Sequence, residues 1–234
     1  MLFDLQGKRR RVVQVTYLGL ALLMGGGLVL AGIGSNATGG LLDAFKGGGS
    51  GDNSGNKVVQ QRIEGAEKRV AANPRDEIAL KAIVRGHYQL ATADADPNTG
   101  NFGAKGKEEL SKAATTWERY LALKPKKPDP SLAGLMVQAY SGLATGNNQA
   151  AQSKTLYGKA AATAEILAEA QPSAETYLRL VQFAALAGQT RKADLAGRKA
   201  IQLAPKDQRD TVKKLVDQAK AGAAGAGGQT APTP

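Results

Sequence analysis

The chain predicts an all-α fold: stacked antiparallel helix pairs forming an α-solenoid, preceded by one transmembrane helix. Three observations carry this expectation. Between Lys57 and Gly222 the residues are mostly Ala, Leu, Gln, Lys and Glu with few β-branched runs, a helix-forming composition. Proline and glycine interrupt that stretch about once per helix length, so short connections fold neighbouring helices back on one another. Ahead of it, Val12 to Gly34 is a run of 23 residues without a charge.

Residues 1–11 form a basic N-terminus, with Lys8, Arg9, Arg10 and Arg11 in succession. The uncharged run that follows would reach roughly 35 Å as a helix, against a hydrocarbon core of about 30 Å, so 12–34 is read as a retained anchor. Cleavage of a signal peptide stays open, because Ser35-Asn36-Ala37 suits a peptidase. The paired arginines also leave a twin-arginine export signal open, although Val12-Val13-Gln14 follows that pattern poorly. Lipidation is excluded, since Leu30-Ala31-Gly32 leads into Ile33 and not into cysteine. Positive charge before the run orients the N-terminus to the cytoplasm and the bulk of the chain outside, at a plasma membrane. Within the anchor, Ala21, Gly25 and Gly32 share a face on which another membrane helix could approach closely; ordinary glycine tolerance in lipid is the rival reading.

Residues 35–56 read as a linker. Leu41 to Phe45 suggests a short amphipathic turn, and KGGGSGDNSGNK from Lys46 is a flexible tether with an end-to-end distance of about 20 Å. The repeat domain spans 57–221, with helices expected over 57–72, 76–93, 104–124, 130–145, 148–171, 173–187, 189–204 and 206–221. Residues 222–234, AGAAGAGGQTAPTP with its preceding alanine, lack core-forming side chains and read as a disordered tail.

The clearest unit is SAETYLRLVQFAALAGQTRKADLAGRKAIQLAP, residues 173–205. Tyr177 and Leu180 fill the space between helices, Gly188 turns the chain, Ala193 and Ala200 allow close approach, and Leu203 and Pro205 close the unit. In this register the chain resembles the tetratricopeptide repeat family, whose pattern is a helix hairpin of 34 residues. Asn73-Pro74 and Lys124-Pro125 mark two further closures, for about three repeats. The match departs at Tyr120, where a small residue is expected, at Trp117 one turn earlier, and at Leu167. With the anchor, the layout is similar to single-pass bacterial envelope proteins carrying such a domain outside the membrane, including ancillary subunits of the protein-export translocon. The resemblance implies binding and not catalysis. It also implies a concave groove lined by the first helix of each pair, with Lys81, Arg85 and Tyr88 in the first unit, Gln138 in the second, and Arg179 and Gln182 in the third.

Catalytic and metal chemistry find little footing. There is no cysteine and one histidine, so neither a thiolate metal site nor a nucleophile-histidine pair can be assembled, and His87 is read as a packing residue. Asp94, Asp96 and Asn98 begin like a calcium loop, but Thr99 stands where the glycine belongs and Lys105 where the bidentate glutamate belongs. A turn-rich loop is expected there, with Phe102 capping the core or touching a partner. No catalytic residue, cofactor or metal ligand is assigned. The formal net charge is +11, and from Lys57 onward 26 Lys and Arg face 17 Asp and Glu, which favours anionic neighbours. Nucleic acid is a poor partner for a domain placed outside the cytoplasm, because no aromatics interleave with the cations. Two functions are carried forward: a scaffold or chaperone-like adaptor that binds polypeptides near export machinery, and an electrostatic tether to anionic wall polymers or lipid through the basic final helices.

Overall fold

A computed structural model describes residues 54–145, 147 and 149–226. The expectations for the basic N-terminus, the span over 12–34 with Ala21, Gly25 and Gly32, and most of the tether lie outside the described residues. Among those described, no helix is long and apolar enough to cross a membrane. By its contacts the chain divides into Met1–Gly55 and Asn56–Pro234, and the fold below is that of the second unit.

Among its described residues that unit is all-helical. Its elements are α1 (Ser54–Ala72), α2 (Glu77–Ala93), α3 (Ala104–Ala122), α4 (Pro130–Ala144), α5 (Ala150–Ala170), α6 (Ala174–Leu186), α7 (Thr190–Leu203), a 3-10 turn at Lys206–Gln208 and α8 (Arg209–Ala226). Helices pack in adjacent pairs, α2 with α3, α4 with α5 and α6 with α7, while α8 covers both α6 and α7. Consecutive connections therefore alternate between two edges of the stack. The arrangement is consistent with a helical repeat.

Several boundaries have visible causes. Asp76, Asp129 and Ser173 stand just outside their helices as N-caps, where their side chains accept from backbone N–H groups otherwise left without partners. Gly188 carries the α6–α7 turn at φ 72, a left-handed conformation that glycine adopts at little cost. The linker gives way to helix at Ser54, earlier than expected, and α8 continues to Ala226 through residues expected to be disordered. The second difference follows from composition: Ala223, Ala224 and Ala226 are the best helix formers, and an established helix propagates through them without a new nucleus.

The core runs along the seams between pairs. Trp117 is fully buried and Tyr120 is 1% exposed, their ring centroids 5.3 Å apart. Both depart from the small-residue pattern, as does Leu167, which is also buried. Here bulk replaces close approach: Tyr120 Oη accepts from the Asp129 backbone N–H at 3.1 Å, so one side chain fills the seam and holds the start of the next pair. In the third pair the pattern is kept, with Ala193, Ala196 and Ala200 buried beside Leu180, Val181 and Ala184.

Candidate groove between first helices

The first helices of the first two pairs, α2 and α4, touch and run parallel. Four of the groove residues expected from sequence meet along this contact. Arg85 donates to Asp129 Oδ2 at 3.0 Å, and Lys81 Nζ lies 3.7 Å from the same oxygen. Asp129 already accepts from the Ser131 and Leu132 backbone N–H groups, so one carboxylate serves a helix cap and two cations. One turn along, Tyr88 donates its hydroxyl to Gln138 Oε1 at 2.7 Å. Burial pushes the Tyr88 phenol above its ordinary value, so it remains a donor at neutral pH.

This arrangement is rich in donors. Arg85 keeps 47% of its side chain exposed, and with Lys81 it places two positive charges over one negative charge. The Gln138 amide nitrogen keeps its own N–H groups for an outside acceptor once its oxygen is taken by Tyr88. A carboxylate or a run of peptide carbonyls matches this surface.

Arg179 and Gln182 sit on α6 and are not joined to that cluster by any hydrogen bond or ion pair among the described residues. Arg179 reaches back to Glu175 at 3.4 Å, a local pair of the i,i+4 kind, and Gln182 is exposed. Behind α6 a second concavity of about 720 Å³ opens between α5 and α7, with Tyr177, Leu180 and Leu195 as its apolar surface and the Lys192–Glu165 ion pair, at 2.6 Å, on its rim. Sequence reasoning did not find it, because its walls come from three helices.

The remaining singled-out residues have structural partners. His87 is buried, as expected, and its Nδ1 lies 2.6 Å from Glu109 Oε2 on α3. Burial would raise the Glu109 carboxyl, but the Lys112 and His87 hydrogen bonds outweigh it and hold the group below its usual range. Lys112, between Glu108 and Glu109, is pushed up to about 12 by its hydrogen bonds to both, Glu109 first. In the loop after α2, Asp94 accepts from the Gly106 backbone N–H and Asp96 from those of Asn98 and Thr99, so both carboxylates shape turns. Phe102 pairs with Ala95 through an isolated bridge and lies over Gly142 of α4, at the core's edge. Among the described residues no group of three or more His, Cys, Asp or Glu is arranged to hold a metal ion.

Asp129 is the site residue that sequence analysis missed. Its capping role was readable from Asp-Pro at a helix start, but its ion pairs were not, since Arg85 is 44 positions away. Comparison with known protein families, with curated proteins and with solved structures finds no match to this chain.

Proposed function

We propose that the chain is a membrane-anchored, tetratricopeptide-type binding module: a scaffold or chaperone-like adaptor for polypeptides, held at the plasma membrane with its helical domain outside, near protein-export machinery. One observation carries the reading. The first helices α2 and α4 present Lys81, Arg85 and the Tyr88–Gln138 pair side by side on a preformed wall, so a bound segment meets fixed donors without much ordering of the protein. A basic N-terminus followed by 23 uncharged residues supports the anchor, and an anchor raises the effective concentration of the module at the membrane.

Photo-cross-linking from position 138 in the native cell, followed by recovery of the anchored protein, tests it. A discrete protein adduct is expected, weakened by Lys81→Ala combined with Arg85→Ala. An absence of any protein adduct above background would count decisively against the reading. A second reading, an electrostatic tether to anionic wall polymers or lipid, is favoured by the exposed Lys199, Lys206, Lys213 and Lys214 on α7, α8 and their connection. It requires binding that collapses as ionic strength rises past about 0.15 M.

A further inference from the structure

The connection from α3 to α4, Lys124-Pro125-Lys126-Lys127-Pro128-Asp129, is left without a role by the fold alone. Lys124, Lys126 and Lys127 are all exposed and make no ion pair among the described residues. The carboxylate beside them, Asp129, is already committed to two backbone N–H groups and to Arg85 and Lys81. Glu77, at the start of α2, is the other carboxylate whose charge reaches this corner at Tyr120. The loop thus adds three exposed lysines, within five residues of Asp129 in the chain, to a corner where Lys81 and Arg85 already share that carboxylate.

The corner is also rigid. Pro125, Pro128 and Pro130 lock three torsions within six residues. Lys124 is held at φ 54, and its N–H donates to Leu121 O at 2.9 Å. The far end is pinned where Asp129 N–H donates to Tyr120 Oη. Cations on a fixed loop meet an anion with little loss of freedom.

We infer that this loop, continuous with Lys81 and Arg85, is a docking plate for an acidic stretch of polypeptide entering the groove at this edge. The inference rests on the groove reading above and names the chemistry of its ligand. A bilayer is a poorer fit, because the next connection along the same edge, Gln171-Pro172-Ser173, carries no cation and the charge forms a local corner, not a plane. A nucleic acid is a poorer fit too, since the aromatic at this corner, Tyr120, is buried and offers no stacking face.

The test uses the full chain in detergent micelles and fluorescence anisotropy of a labelled alternating Glu-Ala peptide, with a Gln-Ala peptide as the uncharged control. The acidic peptide should bind at low salt and the control should not. Lys126→Glu with Lys127→Glu should weaken binding about tenfold, whereas Lys213→Glu with Lys214→Glu on α8 should leave it nearly unchanged. Both pairs are exposed, so neither change threatens folding. Equal loss from the two variants, or none from the loop variant, would overturn the inference. So would phosphatidylglycerol vesicles that pellet the protein in a manner dependent on Lys126 and Lys127 while the peptide does not bind. If the position-138 adduct survives while the loop variant changes nothing, the plate fails and the groove stands; if the adduct is also absent, both fail.

Discussion

His87 and Asp129 show how far a side chain's role depends on what faces it. His87 is the chain's lone histidine, and from sequence it is a packing residue; in the fold it packs and also meets Glu109 at 2.6 Å. A buried imidazole N–H left without its acceptor costs about 1–3 kcal/mol. Glu109→Ala should therefore lower stability by about that amount at neutral pH, measured by urea unfolding. The pH dependence follows from the depressed carboxyl of Glu109. Folding favours its charged form, so the stabilisation is present above the ordinary carboxylate range, near pH 4.3, and fades as acid protonates the folded state below that value. The gap between wild type and variant should accordingly narrow as pH falls from about 5 to 3. A gap that stays constant would mean that Glu109 acts there only through its bulk.

At the scale of the helix, punctuation and close approach share the work. Caps and prolines set where α2, α4 and α6 begin, and these are local effects that need no knowledge of the fold. How closely a helix approaches its neighbour is settled by contact. At Gly86 in α2, an added Cβ would lie 2.5 Å from Ile63 Cγ1 of α1, closer than carbon atoms come without displacement. Gly86→Val should push α1 away and destabilise the domain by about 1–3 kcal/mol. In a double-mutant cycle with Ile63→Ala the two losses should add to less than their sum, because the second change removes the clash that the first creates. Additive losses would show that α1 does not rest on this contact.

For the molecule as a whole, stacking makes each pair depend on the next. The third pair turns its inner face to α8, where Val212 and Val216 are buried and Val216 lies against Gly197. Removal of α8 by ending the chain at Ala204 uncovers that face, at roughly 1.5–3 kcal/mol for each valine lost. The shortened protein should lose more helical circular dichroism than α8 itself contributes and should melt earlier, since a terminal helix on stacked helix pairs protects the unit beneath. Loss of no more than α8's own share would show that the third pair is stable without its cover. The groove should be less affected, because Lys81, Arg85, Tyr88 and Gln138 lie on α2 and α4, in the first two pairs.

Helix composition, the spacing of Pro74, Pro125, Pro172 and Pro205, and the small residues Ala193 and Ala200 were enough to read helix pairs and most of their limits from the sequence. These signals act within a turn or two of the backbone, so they survive without knowledge of what lies nearby. Tyr120 and Trp117 could be recognised as departures from pattern, yet only the packed seam decided that bulk there fills space and that a phenol oxygen holds Asp129. Likewise register singled out Lys81, Arg85, Tyr88 and Gln138, which the fold brings together along the contact of α2 and α4. The carboxylate two of them share, the glutamine oxygen that Tyr88 claims and the cleft between α5 and α7 belong to tertiary structure, because charge pairing and burial depend on distance in space between residues remote along the chain.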